Sequence, residues 1–130
     1  MGFLHDDVMD GGLQVLTDDI DSLHFCTSEP IDYADALANS VGNKASPTVS
    51  APQFRAGFSA PPDGRMVLID AVAGITPTGS GVISHWAVLD TIGSRLLATN
   101  NVVLPTQVNI DDDDITASSF EIGIPTPAPS

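Results

Sequence analysis

The chain has 130 residues and a formal net charge of -13, from 17 acidic side chains against four Lys and Arg. Phosphate binding needs clustered cations that displace counterions, and anionic membranes select for the same patches. Lys44, Arg55, Arg65 and Arg95 are scattered, so a nucleic-acid partner and a membrane partner are both disfavoured.

A length of 130 residues suits one domain, able to bury roughly two-thirds of its unfolded surface. The acidic residues are fifteen Asp and two Glu. Asp favours turns and caps, whereas Glu favours helix interiors. With 11 Gly, 10 Pro and 5% aromatics, the composition suits short strands joined by many turns. Cys26 is the only cysteine, so no intrachain disulfide forms. Within Leu23-His24-Phe25-Cys26 it reads as a small buried hydrophobe. The opening Met1-Gly2-Phe3-Leu4-His5-Asp6-Asp7 lacks the basic and apolar regions of a secretory signal. Asp6 stands where a myristoylation motif needs Ser or Thr. No run reaches the ~18 apolar residues of a membrane span.

In chain order, residues 2–20 have helical spacing, with Leu4, Val8, Met9, Leu13, Leu16 and Ile20 on one stripe. Gly11-Gly12 interrupts this segment and predicts a kink or two shorter helices. The stripe packs either on the chain's own sheet or on a neighbour's surface. Leu23 to Thr27 reads as a strand that Pro30 ends. Asp32 to Asn39 is a short helical turn. Residues 40–65, rich in Gly, Ser, Pro, Ala and Asn, read as a long irregular loop. Phe54, Arg55 and Phe58 are its candidate anchors. They either tuck the loop onto the body or reach a neighbouring subunit.

Strand texture begins at Met66 and runs to Val72, then breaks over Gly74 to Gly79. Two apolar runs between Gly81 and Thr99 flank the polar break Asp90-Thr91-Ile92-Gly93-Ser94 and predict a hairpin. Val82, Trp86 and Val88 share one parity while Ile83, Ala87 and Leu89 share the other, so the hairpin is buried on more than one side. Val102 to Val108 contains Pro105, which marks an edge or a break. Ile115 to Ile124 closes the series, with Phe120, Ile122 and Ile124 on one face and Glu121 and Gly123 on the other. The fold class is therefore mainly β: a small β-sandwich or barrel of five to six strands, with an N-terminal helix and a long irregular loop. The expected division is an N-terminal helical arm over 1–22, a β-rich domain over 23–125 and a Pro-rich tail over 126–130.

Few residue groups suggest chemistry. Asp111-Asp112-Asp113-Asp114 lacks the internal Gly and the downstream Glu of a calcium loop, and reads as a solvated turn, with a weak divalent-ion site as the alternative. His5, His24 and His85 are far apart in sequence and share no ligand spacing. Gly79-Ser80-Gly81 precedes a strand and is no nucleophile elbow. No phosphate loop, dinucleotide fingerprint or zinc-protease helix occurs. No catalytic, metal-binding or cofactor-binding residue is expected, and the chain does not read as an enzyme.

The order of the motifs carries a resemblance. The opening Met-Gly-Phe-Leu with its helix, Leu23-His-Phe-Cys-Thr-Ser-Glu-Pro-Ile-Asp-Tyr-Ala-Asp-Ala36, Val41-Gly-Asn-Lys44, Gly64-Arg-Met-Val, Gly81-Val-Ile-Ser-His-Trp-Ala-Val-Leu-Asp90, Leu96-Leu-Ala-Thr99 and Phe120-Glu-Ile-Gly-Ile124 resemble a family of small virion proteins of tailed bacteriophages. The similarity spans the chain up to the Pro-rich tail, and no catalytic residue carries over with it. The resemblance implies a structural virion component. Among locations, the outer head surface fits best, because packed DNA inside would repel so acidic a chain. Head decoration proteins are small β-rich units, often trimers, so the implied partners are the major capsid protein and further copies of the chain. Many copies on one lattice gain by multivalency. The residues expected at such an interface are Phe3, Leu4, Val8 and Leu13 from the helical arm and Phe54, Arg55 and Phe58 from the loop. A tail, neck or fibre-associated component is the rival within the particle. A β-sandwich carbohydrate-binding module is a third reading, weakened by a single Trp and a single Tyr for stacking on sugar rings.

Overall fold

Backbone pairing, more than local propensity, decides where the strands of this chain lie. A computed structural model describes residues 6–56, 63–110 and 114–125. In chain order the elements are α1 (Asp6–Asp19), β1 (Ser22–Cys26), α2 (Tyr33–Asn39), β2 (Ser40–Ala45), β3 (Gln53–Ala56), β4 (Asp63–Ile69), β5 (Val72–Ile75), β6 (Gly81–Asp90), β7 (Arg95–Val108), β8 (Ile115–Ala117) and β9 (Phe120–Pro125). The protein is mainly β, with antiparallel sheets and an N-terminal helix, and no closed barrel among the described residues. Nine strands stand among the described residues, against five or six expected from the sequence. The chain divides into two compact units, one of Met1–Asp18, Thr48–Asp70 and Ser119–Ser130, the other of Asp19–Pro47 and Ala71–Ser118.

In the first unit β4 is the middle strand of the order β3-β4-β9. The register sets Arg65 opposite Ile124, Val67 opposite Ile122 and Ile69 opposite Phe120, so these side chains share a face. Val67 and Ile69 are wholly buried, and Glu121 and Gly123, on the other parity of β9, are exposed. That is the one-wet-face pattern expected for the last strand. α1 lies along the buried face: a Cβ on Gly12 would stand 3.8 Å from Ile124 Cδ1, and Leu13 and Leu16, one turn apart, are buried. Thr17 Oγ1 donates to the carbonyl of Ser50 at 2.7 Å. The helix runs unbroken through Gly11-Gly12, because packing and the side-chain bond hold it where propensity alone predicts an interruption. Residues 48–50 continue the sheet beyond β3. Val49 bridges to Ile69, Ser50 N–H donates to Leu68 O, and Leu68 N–H donates to Ser50 Oγ, both bonds at 2.8 Å.

In the second unit β1 is interior to the order β2-β1-β6-β7, and all five of its residues are buried. Its two faces are covered by different layers. On one, Cys26, Ala87 and Leu89 pack with Ala36 of α2, joined by Tyr33 and Leu96. On the other, Gly42 is register partner to Phe25, and the β5–β8 pair lies over it. A Cβ on Gly42 would collide with Ile115 Cδ1 and stand 3.5 Å from Ile75 Cγ2. Here glycine is required by close approach rather than by backbone angles. α2 is a full seven-residue helix. Its N-cap is Asp32, whose Oδ1 accepts Asp35 N–H at 2.8 Å.

Beyond α1, the strand expected from Met66 to Val72 ends at Ile69, and β5 runs from Val72 through Gly74, where a break was expected, because it pairs with β8. Further segments also differ from the sequence reading. The expected irregular loop over 40–65 contains β2, β3 and the start of β4. β2, Ser-Val-Gly-Asn-Lys-Ala, has weak strand propensity, but it completes the ladder of β1. The two runs expected at Leu96–Thr99 and Val102–Val108 form one edge strand, β7. Its pairing skips from Asn101 opposite His85 to Thr106 opposite Ile83, so the edge position anticipated at Pro105 occurs, with an irregular ladder in place of a break into two strands. The single strand expected over 115–124 is two, β8 and β9, which pair with different partners.

Candidate functional site

The residues expected to form an interface are spread over the chain. Phe3, Leu4 and Phe58 lie outside the described residues, as do Asp111 to Asp113 of the acidic run. Val8 stands on α1. Leu13, at 2% exposure, is part of the core of the first unit, so this position serves the chain's own packing. Phe54 and Arg55 sit on β3 opposite Arg65 and Gly64. Phe54 is well exposed although its register places it on the α1 side of its sheet. Asp114 is exposed, as expected for the end of a solvated turn.

His5 lies outside the described residues, whereas His24, His85 and Cys26 have local partners. His24 Nδ1 lies 2.8 Å from Ser40 Oγ, and Ser40 Oγ donates to Gly42 O at 3.0 Å. The hydroxyl has one proton, so Nδ1–H of His24 is the donor in the first bond. Burial pushes the His24 pKa below its ordinary 6.5. Cys26 Sγ contacts the Ala36 carbonyl at 3.6 Å, and its pKa is pushed up to about 11, first by burial and then by the charge of Asp35. Such a thiol is a packed hydrophobe and not a nucleophile at neutral pH. His85 Nδ1 lies 2.8 Å from Ser84 Oγ. Among the described residues no three His, Cys, Asp or Glu are grouped to hold a metal ion, and no buried side-chain nitrogen or oxygen lacks a partner.

One surface feature of the second unit is assembled from distant parts of the chain. It is the turn between β6 and β7, residues 91–94, closed by Asp90 opposite Arg95. Asp90 Oδ1 accepts Gly93 N–H at 3.0 Å, and its Oδ2 accepts Arg95 Nε at 3.1 Å and Nη2 at 2.8 Å. Asp19 Oδ2 holds the same Nη2 at 2.8 Å. Asp21 accepts Thr91 N–H at 2.9 Å and Thr91 Oγ1 at 2.7 Å. The bond from Gly93 N–H and then that from Arg95 hold the Asp90 carboxyl below the usual carboxylate range. Gly93 is required by space, because a Cβ there would stand 2.6 Å from Asp90 Oδ2. Ser94 takes a left-handed φ of 55°, a conformation that costs a non-glycine residue energy. At the apex Ile92 is 93% exposed. The turn is legible in Asp90-Thr91-Ile92-Gly93-Ser94, but its fastening by Asp19 and Asp21, some seventy residues away, leaves no local signal.

No family model matches the sequence, no curated protein matches it, and no solved structure matches the fold. No helix among the described residues is long and apolar enough to cross a membrane.

Proposed function

We propose that the chain is a structural virion protein of a tailed bacteriophage, a decoration protein that binds the outer head surface and cements the shell. In this reading it engages the major capsid protein and further copies of itself, acts by adhesion and transforms no molecule. The ordered motifs that resemble small virion proteins support the particle, and the charge of -13 supports its outside. The observation that carries adhesion is the placing of large apolar side chains in solvent: Ile92 at 93% and Phe54 at 59% exposure. Burial of such groups against a partner is a gain the isolated chain forgoes.

The test is heating of particles that contain or lack the protein. A cement raises the temperature of DNA release, and equal release temperatures refute the role. Copy number decides the location within the particle. Hundreds of copies mark a head protein, whereas a handful marks the tail, neck or fibre.

A further inference from the structure

We infer that the β6–β7 turn is a preformed docking knob, with Ile92 as its anchor, for an apolar pocket rimmed by Lys or Arg on a protein other than this chain. The inference rests on the adhesion reading above and names its contact element. A lone exposed isoleucine is ordinary on a protein surface; what sets Ile92 apart is the fastening beneath it. The turn holds a left-handed serine and a glycine whose place is fixed by the Asp90 carboxylate. It uses carboxylates from two other points of the chain, Asp19 and Asp21. That ordering holds out a β-branched apolar side chain where turn chemistry favours Asn, Asp, Gly or Pro. Folding gains nothing from Ile92, which buries almost no surface within the chain. A local rule broken without gain to the fold marks a position shaped by binding. A turn already ordered loses little further entropy when it docks.

Charge selects the partner. The apex is flanked by the half-buried carboxylates of Asp19 and Asp21, with Asp90 buried beneath it and Arg95 bound to Asp19 and Asp90. A cationic rim complements this ring. A second copy carries the same net charge of -13, so it meets this ring with net repulsion. An anionic lipid surface is repelled for the same reason.

The experiment uses the full chain added back to purified shells that lack it, with sedimentation as the readout. Wild type binds. Ile92→Ser binds at least about tenfold more weakly, the loss expected for one buried isoleucine, whereas Ile92→Val and the control Ile31→Ser bind like wild type. Both serine variants keep the thermal midpoint of the parent, since both sites are exposed. Binding also weakens as salt rises. Equal binding by Ile92→Ser and wild type overturns the knob and leaves the adhesion reading standing, as does equal loss in both serine variants. Salt-insensitive binding overturns the cationic rim. Failure of the wild type to bind any shell overturns the adhesion reading and the knob with it.

Discussion

At the scale of single residues, two titrating side chains make stability depend on pH in opposite directions. His24 is buried and its folded pKa lies below 6.5. As pH falls below 6.5 the unfolded chain takes up a proton that the native chain resists, so stability is lost until the folded pKa is passed. Urea melts at descending pH should show this decline, and His24→Gln should flatten it. A slope unchanged in the variant would place its origin elsewhere. Cys26 acts at the alkaline end. Its folded pKa of about 11 exceeds the ordinary 9.0, so the unfolded chain loses a proton first and stability falls as pH rises through that interval. At neutral pH the native thiol should react with a disulfide reagent only as fast as the chain opens. Labelling of the folded protein at the rate of a free thiol would contradict its burial.

At the scale of elements, the close approaches of glycine make the sharpest forecasts. Gly42→Ala forces a methyl into Ile115 and should cost about 1–3 kcal/mol, the usual range for overpacking. Gly11 on α1 has nothing within 4 Å of an added Cβ, so Gly11→Ala should stabilise by about 1 kcal/mol through helix propensity. Denaturant midpoints of the two variants should move in opposite directions. Equal shifts would contradict the packing of one or the other. The same residues explain what was legible in the sequence. The helical stripe and the alternation of β9 follow from periodicity, because each has apolar positions that only one period satisfies, whereas the β6 arm follows from an apolar run of strand length bounded by the turn residues 90–94. β2 was hidden, since a Gly-Asn-Lys run becomes a strand only when β1 supplies the ladder and Ile115 fills the space above Gly42. The split of β8 from β9 was hidden for a related reason, as their partners lie in β5 and β4. Of the candidate site, the turn was visible from Asp90 to Ser94. Its ring of carboxylates was not, because a bond from Asp21 to Thr91 depends on β1 lying beside β6.

At the scale of the whole molecule, charge dominates. A net charge of -13 on 130 residues leaves most carboxylates without a cationic partner anywhere in the chain, and the compact state concentrates that repulsion. Two effects of salt then compete. Screening weakens the attraction of Arg95 for Asp19 and Asp90, and it also weakens repulsion among the remaining acids. The attractive set is small, and the Arg95 and Asp19 side chains are 49% and 42% exposed, so solvent already reduces its worth. The repulsive set involves most of the acidic residues, at separations that a screening length of ~30 Å in 0.01 M salt covers and one of ~8 Å in 0.15 M salt does not. Repulsion therefore relaxes more than attraction is lost, and the thermal midpoint should rise as sodium chloride is increased across that range. Potassium chloride should act alike, since the effect is one of ionic strength and not of a specific site. A midpoint that fell with salt would mean that the few cations of the chain hold it together more strongly than its acids push it apart.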